Sequence, residues 1–385
     1  MALAFLCLIL IYLTVERILH ERRLKRIPIR IHVNGTRGKS NVTRLIAAAL
    51  RRSGIRTLAK TTGTLPRLIL PDGNEETIRR RSPANIVEQM KIVKRASRLK
   101  AEALVVECMA LDPALQLISE TAMIRSTLGV ITNVRPDHFE VMGGSLDDVA
   151  EALSQSVPAG GILVTGDRRY YPFFSDVASR RGSRAVLAWN ADPDGEDPRQ
   201  GIHIFRENIE IVRSVCSLLG LDPAVVSQCL DDAAITRKGA GIFRIPFGRR
   251  TVHFVDAFSA NDVESTRIIQ ERALAQNACS RPWIALFNNR ADRPLRMKSF
   301  ADDLLTGALY DYVAVTGEGP HLAYRYLRRK IAKENIFVLS DTSPQQLLDE
   351  LFQNTACMEC TIVGMGNEQG LGRCLSQFFK EKEAR

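Results

Sequence analysis

Six consecutive residues concentrate the chemistry of this sequence: Gly35, Thr36, Arg37, Gly38, Lys39 and Ser40. They stand between an alternating stretch, Ile29-Arg-Ile-His-Val33, and a helical pattern that starts at Asn41. Glycines let the main chain approach phosphate oxygens, and a helix N-terminus aims unpaired N–H groups at them. Lys39 supplies positive charge, and the Ser40 hydroxyl suits Mg²⁺. The competing reading is a glycine turn followed by a surface lysine. A strand before the loop and an apolar helix after it argue against that. The commoner phosphate-loop spacing needs glycine at position 33, where Val33 stands, so this loop is a shortened form.

Two further segments end in residues able to serve such a loop. The apolar run Ala103-Leu-Val-Val-Glu107 places Glu107 at its C-terminal end, where open parallel sheets bind ligands. A buried glutamate without a partner would be costly, so a structural role is the weaker reading. The run Leu128–Val134 leads into Arg135-Pro-Asp137-His138. An isolated histidine is more often structural, but this one closes a strand in the right order. Lys60-Thr-Thr-Gly-Thr64 is a polar stretch compatible with either a substrate contact or a plain loop.

Positioning these residues requires alternating strands and helices. The first domain continues through strands near Gly161–Thr165 and Ala185–Trp189 to a helical region over Asn208–Ala233. From Thr251 onward five apolar strands (VHFVD, WIALF, YVAVTG, IFVLS and CTIVG) alternate with helical patterns, which predicts a doubly wound parallel sheet. The expected fold class is α/β: a P-loop-type central ATP-binding domain over residues 27–240 and a C-terminal Rossmann-like domain over 241–385. Asn288-Asn-Arg290-Ala-Asp292-Arg293 follows the second of the five strands and suits an anionic phosphate or carboxylate. Val363-Gly-Met-Gly366 has the wrong spacing for a dinucleotide fingerprint and reads as a turn.

Composition bounds the rest. With 385 residues, 45% of them hydrophobic, each domain has enough apolar material for its own core. The net charge of +10 predicts attraction to anions. Arginines lack interleaved aromatics and no reading module is present, so nucleic acid is not the expected partner. The eight cysteines are scattered apart from Cys357-Met-Glu-Cys360, poor evidence for zinc, and are read as reduced core thiols. Residues 1–26 read as a membrane anchor with a basic flank: Ala2–Val15 carries no charge, and Arg22, Arg23, Lys25 and Arg26 follow. The run is about 20 Å long as a helix, against a hydrocarbon core of roughly 30 Å, and would span by including Arg17 to Leu19. Basic residues downstream place the body on the cytoplasmic side of the membrane.

The short G-T-R-G-K-S loop, the V-E segment ending at Glu107 and T-N-V-R-P-D-H ending at His138 together resemble the Mur ligase superfamily. That resemblance implies that Ser40 and Glu107 ligate Mg²⁺ at the ATP phosphates and that His138 binds a second Mg²⁺. It also implies that Arg244, in the interdomain segment, lies over the ATP phosphates. Val255-Asp256-Ala-Phe-Ser-Ala-Asn261 partly matches the superfamily's D-Y-A-H-N-P segment, which adds Asp256 and Asn261 as nucleotide contacts, with Arg290 beside them. Many members carry a carbamylated lysine shortly after the histidine, whereas Leu153 takes that place here.

K-T-T-G-T, V-E-C-M-A, D-H-x-x-V-M-G and N-x-R-A-D-R narrow the resemblance to the PgsB/CapB family of poly-γ-glutamate synthase subunits, over nearly the whole chain after the anchor. It implies an ATP-dependent ligase that adds glutamate to poly-γ-glutamate in capsule or extracellular polymer synthesis, with small membrane subunits as partners. Homo-oligomerisation stays open. The competing readings are a folylpolyglutamate synthase-like ligase and a membrane-bound assembly ATPase without ligase chemistry.

Overall fold

The computed structural model describes residues 2–62, 66–80, 83–188, 206–236, 241–258, 260, 262–275, 279–340, 343–355 and 357–383. They form two compact units, the first from the described residues up to Ile235 and the second from Thr236 onward.

The first unit is built on eight strands: β1 (Ile29–Asn34), β2 (Thr57–Thr61), β3 (Arg67–Ile69), β4 (Glu75–Thr77), β5 (Ala103–Glu107), β6 (Leu128–Ile131), β7 (Ile162–Thr165) and β8 (Arg184–Leu187). Their order in the sheet is β4-β3-β2-β5-β1-β6-β7-β8. β1 pairs in parallel with both β5 and β6, which brings the ends of all three beside one another. Alternation along these strands decides which helix each face receives. Ile31, Val33, Ala103 and Val105 pack with Val42, Leu45, Ile46 and Ala49 of the helix Lys39–Arg52. Leu58, Leu104 and Val106 pack on the other face with Ile92, Val93 and Ala96 of the helix Glu88–Arg98. Each buried Leu, Ile or Val side chain is worth about 1.5–3 kcal/mol. The expected helical region over Asn208–Ala233 is two helices, Arg206–Leu218 and Pro223–Thr236. Gly220, at φ 70°, stands between them in a conformation that favours glycine.

At the start of the chain the helix Ala2–Lys25 leaves Phe5, Leu8, Ile11, Tyr12 and Ile18 exposed. Its C-terminal end belongs to the folded unit. His20 Nε2 lies 2.8 Å from the Met123 carbonyl oxygen, and Leu24 and Ile27 are buried in the cluster with Ile92 and Val93. Among the described residues no helix is long and apolar enough to cross a membrane. The structure therefore supplies the helix expected from the sequence but not a spanning segment. The apolar run meets Glu16 and Arg17 in mid-helix, and the following turns are used for packing.

The second unit has six strands: β9 (Ile242–Phe247), β10 (Arg250–Asp256), β11 (Trp283–Asn289), β12 (Tyr312–Gly317), β13 (Ile336–Val338) and β14 (Glu359–Met365), in the order β13-β12-β11-β14-β10-β9. The five strands expected from the sequence are all present and parallel. β9 is an antiparallel edge strand, paired with β10 across a short turn at Gly248, which the sequence reading did not separate from the interdomain segment.

Candidate functional site

β1 ends at Asn34, and the glycine loop turns directly into the helix Lys39–Arg52. Gly35 has φ 123° and Gly38 φ 82°, backbone conformations that disfavour side chains. A Cβ at Gly35 would lie 2.1 Å from Thr132 Oγ1, and one at Gly38 2.5 Å from Asn208 Oδ1. Both glycines are thus required by close approach as well as by torsion. The Lys39 ammonium donates to the carbonyls of Gly35 (2.5 Å) and Thr36 (3.3 Å), which holds it over its own loop.

The β6 end is stitched to this loop residue by residue. Thr36 Oγ1 donates to Asn133 Oδ1 (2.7 Å) and the Arg37 N–H to the same oxygen (3.0 Å). Thr132 Oγ1 donates to the Arg37 carbonyl (2.6 Å), and the Arg135 N–H donates to Thr36 Oγ1 (2.9 Å). The Arg37 guanidinium makes a two-point contact with Asp137, at 3.2 and 3.3 Å. His138 follows at φ 47°, a left-handed conformation rare outside glycine, at the N-terminus of the short helix Phe139–Met142. Its Nδ1 is 3.2 Å from Glu140 Oε1, and its Nε2 is 3.8 Å from Asp137 Oδ1.

From the β5 end, Glu107 reaches the loop directly. Its Oε2 accepts from Ser40 Oγ (2.7 Å) and from the Thr62 N–H (2.8 Å), and the residue is buried. Ser40 and Glu107 are hard oxygen donors converging at a helix N-terminus, a donor set that fits Mg²⁺. Among the described residues no group of three or more His, Cys, Asp or Glu forms a self-sufficient metal cluster. Leu153, which the sequence resemblance sets at the carbamylated-lysine position, is fully buried in an apolar cluster with Val149 and Phe174.

Sequence reasoning gave too little weight to Lys60 and missed Asn208. Lys60 is completely buried, its ammonium 2.9 Å from Glu88 Oε1, 3.4 Å from Gln89 Oε1 and 3.3 Å from Met109 Sδ. Burial pushes its pKa down, opposed by Glu88. Its strand ends at Thr61, and the N–H of the next residue, Thr62, donates to Glu107. Asn208 is buried against Gly38 with both amide atoms lacking a hydrogen-bond partner among the described residues. Such a group calls for an explanation, and a bound ligand is one. No local pattern around Asn208 reveals it, because its neighbour in space is far away in sequence.

The second unit holds the remaining expected contacts. Arg244 is exposed on the edge strand β9, opposite His253, whose Nε2 is 2.8 Å from Glu359 Oε1. Asp256 is buried at the end of β10, where burial pushes its pKa up against the Ser376 hydroxyl and the Phe258 N–H. Arg290 forks onto Asp292 (2.7 and 2.5 Å) and reaches Gln369 (3.2 Å). Asn261 lies outside the described residues. Lys39, Ser40 and Glu107 are thus brought together in the first unit, and Asp137, with His138 next to it, is tied to the loop through Arg37, whereas Arg244, Asp256 and Arg290 are placed in the second. The eight cysteines are free thiols.

Comparison with known proteins places this geometry. Residues 33–215 match the Mur ligase middle domain, and residues 242–382 match the poly-gamma-glutamate synthase CapB C-terminal domain. The capsule biosynthesis protein CapB of Bacillus anthracis is 33% identical over 379 residues, covering 97% of this chain and 81% of that protein. The PGA synthase CapB of Bacillus subtilis (strain 168) is 32% identical, covering 97% of this chain and 95% of its own. In fold, the chain is similar to a bifunctional folylpolyglutamate synthase/dihydrofolate synthase from Yersinia pestis solved with AMPPNP and Mn. The TM-score is 0.63 at 16% identity, over 93% of this chain and 91% of that one. A further structure of that bifunctional enzyme, with Mn, AMPPNP and L-glutamate bound, gives a TM-score of 0.62 at 15% identity, over 93% of this chain and 91% of that one.

Proposed function

The chain belongs to the CapB family of poly-γ-glutamate synthases, and from that premise we propose that it is the ATP-dependent ligase that extends poly-γ-glutamate through an acyl phosphate. The observation that carries this reading is the convergence of Ser40 and Glu107, at 2.7 Å, on the N-terminus of the helix that the glycine loop opens.

In this reading the backbone N–H groups of the loop and the Lys39 ammonium cradle the ATP phosphates. Ser40 and Glu107 would hold Mg²⁺ at the phosphates, with His138 by resemblance a ligand of a second ion, and the metal when bound neutralises charge on the phosphate oxygens. A carboxylate oxygen of the acceptor attacks the γ-phosphorus and the bond to ADP breaks. The amine of the incoming substrate then attacks the acyl carbon, loses a proton, and phosphate departs with its bridging oxygen. Catalysis is largely positioning and charge stabilisation, so no protein nucleophile is needed. Asp256, Asn261 and Arg244 remain nucleotide-contact candidates by resemblance, and Arg290 by the anion-suited cluster it stands in. The buried amide of Asn208 joins them on its own geometry. The exposed apolar stretch from Phe5 to Ile18 supports attachment of the N-terminal helix to the cytoplasmic face of a membrane, beside small membrane subunits.

The test uses the purified full chain with its membrane partners, ATP, Mg²⁺ and labelled glutamate. The reading expects ADP release coupled to labelled γ-amide polymer, with both lost in Lys39→Ala. Glutamate-independent hydrolysis without polymer would instead indicate an assembly ATPase.

A further inference from the structure

Arg37 sits in the phosphate loop, yet its guanidinium is turned onto a carboxylate. The fork onto Asp137 uses both terminal nitrogens, and the two side chains are only 14% and 9% exposed. A planar guanidinium matched to a carboxylate at two points is the strongest and most directional form of this contact. Turning Arg37 towards phosphate would break this nearly buried two-point contact. Its backbone is equally committed, with the N–H bound to Asn133 and the carbonyl to Thr132 and Asn133.

The next residue after Asp137 is His138, a non-glycine residue held at φ 47°. Such a conformation persists only where its surroundings fix it. Asp137 Oδ1 is also 3.8 Å from His138 Nε2, so one carboxylate stands between the loop arginine and the histidine. We propose that Arg37 acts through Asp137 as a positioning residue for His138, and that its contribution is to divalent-metal binding and not to phosphate binding. This rests on the reading above that the site holds a metal–nucleotide complex. Groups that orient a metal ligand from behind typically change affinity 10- to 100-fold when altered.

Charge-conserving variants separate the two roles, because they leave the electrostatic attraction for both ligands in place. Arg37→Lys cannot make the fork, and Asp137→Glu displaces the carboxylate. The full chain is titrated with Mn²⁺ by electron paramagnetic resonance in the presence of ADP, and with ADP alone by calorimetry. The clasp account expects each single variant to weaken Mn²⁺ binding about tenfold. It expects the double variant to bind Mn²⁺ no more weakly than either single one, and metal-free ADP affinity to stay unchanged. Losses that multiply in the double variant, or an Arg37→Lys loss that appears with ADP alone, would overturn it. Should Arg37→Lys fail to fold, Arg37→Gln with Asp137→Asn removes both charges together and repeats the comparison. Wild-type protein that binds neither ADP nor Mn²⁺ would defeat the nucleotide reading and this inference together, whereas normal wild-type binding with independent effects defeats the clasp alone.

Discussion

Replacing Glu88 by glutamine should cost far more stability than replacing its partner Lys60 by methionine. Lys60 is fully buried, and among the described residues Glu88 is its ion-pair partner, at 2.9 Å, with the Glu107 charge acting from farther off. Glu88, by contrast, is also gripped by Arg80, at 2.8 and 3.1 Å. Lys60→Met therefore leaves a carboxylate that still has a guanidinium, with a side chain of similar length filling the space, and about 1–2 kcal/mol is expected. Glu88→Gln leaves a buried ammonium with neutral groups, Gln89 and Met109 among them, in place of its paired carboxylate, and breaking a buried pair this way costs about 3–5 kcal/mol. The lysine can escape by losing its proton. From an ordinary value of 10.5, deprotonation at pH 7.5 costs about 4 kcal/mol, at 1.36 kcal/mol per pH unit, and this caps the loss.

The sign follows from the depressed pKa. A lysine whose folded pKa lies below its unfolded value costs stability below the folded pKa, and the cost is relieved as pH rises towards the unfolded one. Losing Glu88 depresses the lysine further than in wild type, so the Glu88→Gln deficit should shrink as pH rises from 7.5 to 9.5, by at most about 1.4 kcal/mol per pH unit. Urea unfolding of wild type, both single variants and Lys60→Met/Glu88→Gln at those two pH values measures all of this. The double variant should recover most of the Glu88→Gln loss. Equal losses in the two single variants, or a Glu88→Gln deficit that ignores pH, would refute the reasoning.

Three further outcomes are expected. Asn208→Leu removes an unsatisfied buried amide, so it should raise the ligand-free melting temperature by about 1–3 kcal/mol worth of stability while weakening ADP binding, read by thermal melting and calorimetry. Gly38→Ala forces a Cβ into a left-handed position 2.5 Å from Asn208 Oδ1, at a torsional cost of about 1–2 kcal/mol before the clash. ADP affinity should fall, read by calorimetry, and adding Asn208→Ala to the same chain should recover part of the lost stability by relieving the clash, read by thermal melting. Glu107→Gln keeps the shape of the site but removes the anionic oxygen that meets Ser40, so Mn²⁺ binding with nucleotide should drop at least tenfold while metal-free ADP binding changes little.

The parts of this protein governed by local order were legible in the sequence. Strand, glycine loop and helix occur consecutively around Gly35–Ser40, and apolar runs mark β5, β6 and the five parallel strands of the second unit. Glu107 could be placed at a strand end, and the chemistry of a strand end made it a ligand candidate. Contacts that depend on packing were not legible. Thr62 meets Glu107 because β2 lies beside β5 in the sheet, and sequence order gives no sign of that neighbour relation. Asn208 reaches Gly38 from a helix packed on the far side of the loop. Lys60 looked like a loop residue because a lysine in a polar stretch is normally solvated, and only the partner on the helix Glu88–Arg98 explains its burial. The N-terminal run was readable as an apolar helix, but the docking of His20 and Leu24 onto the body was not.

The most direct measurement of carboxylate activation follows oxygen. Acceptor polymer with ¹⁸O in its carboxylates is supplied to the full chain with its membrane partners, ATP, Mg²⁺ and unlabelled glutamate, and the released phosphate is analysed by mass. An acyl phosphate transfers one ¹⁸O atom to phosphate for each amide formed, and Lys39→Ala should release none. Polymer growth accompanied by phosphate without ¹⁸O would contradict the account.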